Sequence, residues 1–401
     1  MAEIYLDNAA SVPMCAAARA TMRRVLEQGL ADANPSSPHA PGRRVRALLD
    51  EARATAARWL GCSPGEIVFT SGGTEADNLA LIGAATASRR EEGRSGVVVS
   101  AIEHHAVLDA ARALEARGFV VELARCDGSG VVRPEQVRRA LERVQARGAR
   151  VGVVALMLVN NEVGTVQPVE DVAELAASAG ARLFVDAVQA PFHAVLDPGS
   201  LGCDLLALSA HKMGGPKGAG LVYVRRGIPF DPVTYGGGQE RMLRPGTENV
   251  PGILGMAAAL EWARSEREAI EAHKAKLERG LLDHLRRLVP DVEINTGAAR
   301  RSPGLVNLWV PGVESQVLLA ALDMAGVACS YGAACTSGGL QPSHVLQAMG
   351  LDEQRVASSI RVSVGPFNTE AEMAEAASRM AHVIRALRTS GERGPDACGS
   401  S

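Results

Sequence analysis

Aromatic side chains are scarce: tryptophan, tyrosine and phenylalanine together make up 3% of the 401 residues. The core therefore has to be filled by Ala, Val and Leu, which suits helices packed closely on a sheet. Paired cysteines are missing too. The seven cysteines (15, 62, 126, 203, 329, 335 and 398) are scattered and include no CxxC pair. An odd number without framework spacing argues against a disulfide scaffold and for a reducing cytoplasm, so any cysteine that matters acts as a single thiol. There is no block of basic charge, and the net charge of −3 offers a nucleic-acid partner nothing to bind. Long apolar runs are absent as well: "VGVVALMLV" (151–159) is far too short to span a bilayer. The start, "MAEIYLDNAASV", lacks the charged head and apolar core of a signal peptide, and a cytoplasmic, membrane-free protein is expected.

What remains is an ordinary globular composition, 47% hydrophobic and 22% charged, in a chain long enough for more than one subdomain. Short β-rich runs at 66–70, 96–102, 119–124, 151–159, 181–187, 204–209 and 219–225 alternate with helical patterns such as 105–117 and 134–147. That alternation predicts an α/β fold with a mainly parallel seven-stranded sheet covered by helices on both faces. A long helix over 251–290 leads into a smaller α+β region with strands near 304–310 and 358–365. The expected division is a large domain over 15–259 and a small one from 1–14 with 260–388. The Gly/Ser-rich tail 389–401 should be disordered.

In such sheets ligands bind beyond the carboxyl ends of the strands, and five ends deliver polar groups there. "EIVFT" runs into "SGGTEADN", where Gly72 and Gly73 free the backbone and Thr74 starts a helix, a natural anion site. The other ends carry Glu103-His104-His105, Asn160-Asn161-Glu162, Asp186 with Gln189, and Ser209 with His211 and Lys212. An amine beside an anion cradle, an acid and a flat ring suits pyridoxal phosphate. Lysine can form a Schiff base with its aldehyde, and a carboxylate at the pyridine nitrogen keeps the ring an electron sink.

The sequence resembles the cysteine desulfurases of the class V aminotransferase-like group. The resemblance is carried by "IYLDNAAS" (4–11), "NPSSPH" (34–39), "EIVFTSGGTEADNLA" (66–80), "EHHAVL" (103–108) and "VNNEVGTVQP" (159–168). It continues through "VDAVQA" (185–190), "SAHKMGGPKGAG" (209–220), "GGGQERMLRPGTENV" (236–250), "YGAACTSGGLQPSHVL" (331–346) and "SSIRVSVG" (358–365). It implies fold type I of the pyridoxal-phosphate-dependent transferases and makes Lys212 the Schiff-base lysine. His104 would stack on the ring, Asp186 pair with the pyridine nitrogen and Gln189 with the phenolic oxygen. Gly73, Thr74, Ser209 and His211 would hold the phosphate. Thr247 would reach the phosphate in the neighbouring subunit of a homodimer. Asn161, beside the cofactor, and Arg361 would hold the substrate carboxylate.

Cys335 would be the nucleophile that takes sulfur from L-cysteine as a persulfide, leaves L-alanine and serves a sulfur-acceptor protein, a scaffold or a sulfurtransferase. Iron–sulfur cluster assembly, tRNA thiolation and thiocofactor synthesis all draw on such enzymes. No resident metal site is implied, beyond transient ligation of an iron–sulfur cluster by Cys335. Pro245 stands where many members carry Ser or Ala, and Tyr331 and Ala333 where they carry Ser; "RPGTEN" and "GAAC" look similar to selenocysteine lyases, the alternative reading.

Three readings come from the residues themselves. The small, glycine-flanked "YGAACTSGG" places Cys335 on a loop, whereas Cys329 reads as a packed hydrophobe. The glycine-rich stretch before Thr247 has no evident partner in its own sheet. Arg361 sits in an apolar strand with no carboxylate nearby in sequence, so a ligand carboxylate is expected as its partner.

Overall fold

The structure, a computed structural model, describes residues 2–331 and 342–392. Its strands are, in chain order, β1 (Ile4–Tyr5), β2 (Ile67–Thr70), β3 (Gly96–Ser100), β4 (Val120–Ala124), β5 (Val151–Ala155) and β6 (Arg182–Asp186). They continue with β7 (Leu205–Ser209), β8 (Gly220–Val224), β9 (Glu293–Ile294), β10 (Leu305–Trp309), β11 (Val327–Ala328) and β12 (Ser359–Ser363).

Seven of them form the central sheet in the order β2-β8-β7-β6-β5-β3-β4. β8 pairs antiparallel with both β2 and β7, and the remaining pairings are parallel, so six of the seven strands point the same way. β2, β3, β5, β7 and β8 are buried along their whole length, as strands covered on both faces must be. β5 stops at Ala155, short of the expected 159. Leu156 and Leu158 nevertheless donate to the carbonyls of Phe184 and Asp186, so extended chain runs on to Asn160.

The helix Gly73–Glu92 presents apolar residues almost all round and is deeply buried, and it ends where Gly93 turns left-handed at φ 64°. The helix Val250–Leu288 has 39 residues, about 58 Å at 1.5 Å per residue. Its first half, to Ile270, packs on the sheet core, and Leu277–Leu285 pack in a second core with Ile4, Leu6, β10 and β12. That second core is built on the antiparallel sheet β12-β10-β9 and the parallel pair β1-β11. The helix Glu370–Glu392 extends into the tail expected to be disordered from Thr389. Residues 393–401 lie outside the described residues.

The N-terminal segment places the site. β1 pairs with β11, and single bridges join Asp7 to Ser363 and Ser330 to Arg361. This brings the chain start against β12 and over the carboxyl ends of the central strands.

Candidate active site

β6 ends on Asp186 and β7 on Ser209, and one tight turn, Ala210–Lys212, sets the lysine beside them. Asp186 pairs in register with Ala207 of β7, so acid and amine come from adjacent strand ends. Lys212 Nζ and Gln189 Nε2 both donate to the Ala9 carbonyl, the latter at 2.7 Å. Ten of the twelve expected site residues line one cavity of about 420 Å³: Gly73, Thr74, His104, Asn161, Asp186, Gln189, Ser209, His211, Lys212 and Arg361. Thr247 does not; it is exposed elsewhere. Cys335 lies outside the described residues.

The anion cradle differs in one detail from the sequence expectation. The helix begins at Gly73 with Gly72 as its cap, so Thr74 stands inside the first turn, exposed, and among the described residues no side chain caps the helix. Its first N–H groups are thus left for a ligand. A Cβ on Gly73 would lie 3.1 Å from Val188 Cγ2 and 3.4 Å from Ser209 Cβ, so glycine keeps this corner open. Ser209 Oγ is buried with no hydrogen-bond partner among the described residues. A buried hydroxyl left unpaired costs free energy, which an anion in the cradle would recover. Cradle, amine and acid together fit pyridoxal phosphate.

Charge in the site is set by burial. Lys212 is lowered to about 8, first by burial and then by Arg361, against the pull of Asp186 and Asp7. His104 caps the helix His105–Ala116, accepting the Ala106 N–H on Nδ1 at 3.1 Å, which leaves Nε2 to carry the proton. Burial and Lys212 lower it to about 4, and burial and Lys212 do the same to His211. Three carboxyls crowd one side. Burial raises Asp186 to about 6, Glu103 to about 8, and Asp77 well above its usual range. Asp186 keeps the negative charge because Val188 N–H donates to it at 2.9 Å and Lys212 stabilises it; Asp77 Oδ1 has no partner among the described residues.

Two expectations need correction. Arg361 has a carboxylate partner in the protein: Nη2 donates to Asp7 Oδ1 at 2.7 Å and Nη1 to the Asn161 carbonyl at 2.8 Å. The partner is invisible in the local sequence because it comes from the other end of the chain. Ser330 Oγ also donates to Asp7 Oδ1, at 3.0 Å. The stretch before Thr247 likewise has partners in its own chain, including an ion pair from Arg244 to Glu75 at 2.8 Å. Asp7, Asp77, Ser330 and Tyr331 line the cavity without having been assigned to it from sequence. Asp7 lies within "IYLDNAAS", a motif that marked the resemblance but suggested no role.

The sequence profile described as Aminotransferase class-V matches residues 4–375. The chain belongs to the class-V aminotransferase family. Members of this family depend on pyridoxal phosphate, and the seven-stranded sheet is that of fold type I, as the sequence implied. The cysteine desulfurase IscS of Methanosarcina thermophila is 37% identical over 385 residues, covering 96% of this chain and 93% of its own. Among solved structures, a NifS-like protein superposes with a TM-score of 0.87 at 33% identity, covering 96% of this chain and 100% of its own. SspA in complex with cysteine superposes with a TM-score of 0.77 at 30% identity, covering 91% and 99%. Family and relatives mark this class-V protein as an enzyme. Among its described residues no helix is long and apolar enough to cross a membrane.

Proposed function

We propose that this chain is a cysteine desulfurase. It converts L-cysteine to L-alanine and carries the sulfur as a persulfide on Cys335 to an acceptor protein, working as a cytoplasmic homodimer. The carrying observation is the juxtaposition of Lys212 and Asp186 with the open phosphate cradle in one cavity that Arg361 also lines. The names of the relatives point the same way. The large domain would be 15–259, and 1–14 with 260–388 the small one that brings Asp7 and Arg361 to the site.

Lys212 would hold the cofactor's aldehyde carbon, Asp186 its pyridine nitrogen, Gln189 its phenolic oxygen and His104 its ring face. Gly73, Thr74, Ser209 and His211 would hold its phosphate, with Thr247 of the partner subunit. When bound, pyridoxal phosphate supplies an electron sink for the pair left when an amino acid loses its α-proton. Arg361 and Asn161 hold the substrate carboxylate and so aim the Cα–H bond toward Lys212 Nζ. Lys212, with its pKa near 8, can accept that proton near neutral pH. Cys335 thiolate attacks the substrate sulfur. The S–S bond forms as the Cβ–S bond breaks, the electron pair left on Cβ takes a proton, and Lys212 returns the α-proton to Cα, completing alanine. His104, neutral above pH 4, is placed to pass a proton at Nε2. Purified holoenzyme given L-cysteine and a thiol reductant should release alanine and sulfide in equal amounts; alanine without sulfide, or neither, would exclude desulfuration.

The Lys212 amine changes charge in the working range, whereas His104 and His211, both near 4, do not. Capture of an aldehyde by the apoprotein should therefore accelerate about tenfold from roughly pH 7 to 9, as the neutral fraction of an amine with a pKa near 8 rises. Stopped-flow absorbance would follow it, and a flat profile would place the nucleophile elsewhere.

Arg361→Lys keeps a cation for Asp7 but loses the second donor edge. KM for L-cysteine should rise about 10- to 100-fold, the worth of a hydrogen bond to a charged group, while cofactor absorbance and kcat change little. Loss of the bound cofactor or of the fold would instead make Arg361 a structural partner of Asp7 alone.

A further inference from the structure

Glu240, Arg241 and Met242 have φ of 47°, 59° and 65°, and none is glycine. Consecutive left-handed residues persist only where their surroundings hold them. Glu240 is 4% exposed and forms a two-pronged pair with Arg53, at 2.5 and 2.8 Å, while its Oε2 also accepts the Phe69 N–H at 2.9 Å. Arg241 Nη2 donates to the Ile67 carbonyl at 2.9 Å. Arg244 Nε donates to Glu75 Oε1 at 2.8 Å. The ties therefore run through Arg53 to the helix Ala40–Leu60, and to β2 and the first turn of the helix Gly73–Glu92, the two elements that flank the anion cradle.

Glu75 serves both sides of this arrangement. Its Oε2 accepts the Ser71 N–H at 2.5 Å and closes the cradle turn, while Oε1 holds Arg244. Thr247 follows Arg244 by three residues and stands exposed, away from the cavity of its own chain. The same element that shapes the cradle in one subunit thus fixes the base of the arm that carries Thr247.

We infer that Arg244, held by Glu75, and Glu240, held by Arg53, are positioning residues that set where Thr247 meets the cofactor phosphate of the partner subunit. The inference rests on the shared-site homodimer proposed above. It assigns the strained turn a purpose: the arm leaves the cradle in one direction, and its tip serves the other active site.

Arg244 and Glu75 are partly exposed, with side chains 22% and 26% accessible, so Arg244→Gln should fold where a break in the buried Arg53–Glu240 pair could fail to. Differently tagged subunits, one carrying Lys212→Ala, give heterodimers with a single pocket able to bind the cofactor covalently. Its affinity is read from the visible absorbance of reconstituted cofactor. With Arg244→Gln on the Lys212→Ala subunit, the competent pocket receives Thr247 from the altered chain, and its Kd should rise about tenfold, a large part of one phosphate hydrogen bond. Arg244→Lys there should restore most of the affinity. With Arg244→Gln on the competent chain, Thr247 comes from an intact arm and Kd should stay within about twofold of the control, short of any lost hydrogen bond. Equal loosening in both arrangements, loosening only in the second, or none in either overturns the inference. Thr247→Val in the first arrangement is the reference: if it loosens the cofactor and Arg244→Gln does not, only this inference fails. If Thr247→Val has no effect, or the chain sediments as a monomer with full affinity, the shared-site reading fails and this inference with it.

Discussion

Lys212→Ala should give a folded protein with no borohydride-reducible link to the cofactor and almost no alanine from L-cysteine. The residue sits just past β7, beside the cradle, and among the described residues that line the cavity it carries the one primary amine. Removing it takes away both covalent capture and the base for the α-proton, so the rate should fall at least about a thousandfold, within the range for loss of a positioned general base. Folding should not suffer. The folded-state pKa of Lys212 is depressed to about 8, so folding the charged amine costs stability at every pH below 8, a cost that fades as pH rises toward 10.5. The apo variant should accordingly melt no lower than the apo wild type at pH 7. Borohydride reduction of the wild-type holoenzyme followed by peptide mass spectrometry should find the cofactor on Lys212. A label on another lysine, or cofactor fixed by borohydride to the Lys212→Ala protein, would sink the assignment.

Cys335→Ser should separate cofactor chemistry from sulfur transfer. The variant should bind cofactor and L-cysteine with wild-type affinity, because neither step needs the thiol. Alanine formation should drop by at least about a hundredfold, since a serine hydroxyl at its ordinary pKa is a far weaker nucleophile than a thiolate. The described cysteines make poor substitutes. Burial pushes the thiols of Cys62, Cys203 and Cys329 up to about 12 and that of Cys126 to about 11, so none is a thiolate near neutrality. Cys15 is 1% exposed, and its sulfur caps the helix Ala16–Glu27 by accepting the Ala18 N–H. Cys329 follows β11 and packs against the second core, as its sequence suggested, so Cys329→Ser should keep most of the activity. Alanine at the wild-type rate from Cys335→Ser would mean a lyase that releases sulfur without a protein persulfide.

The central sheet and its polar edge were legible because both rest on local pattern. Apolar runs of strand length between helical stretches fix the layers, and each strand end carries its chemistry within a few residues, as Asp186 and Gln189 do after β6. What could not be read depends on contacts between distant segments. Asp7 meets Arg361 only because the chain start bridges to β12, and no periodicity reports a pairing of that span. The cradle helix starts at Gly73, one residue before the Thr74 start expected from sequence. Gly72 takes the position with φ 158° and ψ −175°, in a region of backbone space that glycine almost alone occupies. The raised Glu103 is another case. Sequence shows a glutamate before two histidines, but its Oε1 accepts from Ser100 Oγ and the Met157 N–H, groups that only the folded sheet brings together. The arm before Thr247 looked unpartnered because its anchors, Arg53 and Glu75, belong to helices far upstream.

The central claim is that sulfur leaves L-cysteine by way of a thiol of this chain. A single-turnover experiment tests it most directly. Holoenzyme is mixed with one equivalent of L-cysteine without reductant, then trapped with an alkylating agent, digested and analysed by mass spectrometry, with alanine measured in the same sample. The account predicts that the peptide bearing Cys335 gains one sulfur atom, in equal amount to the alanine formed, and that no other cysteine peptide does. Alanine accompanied by elemental sulfur or by the persulfide of free cysteine, with Cys335 unmodified from the earliest time point, would contradict it.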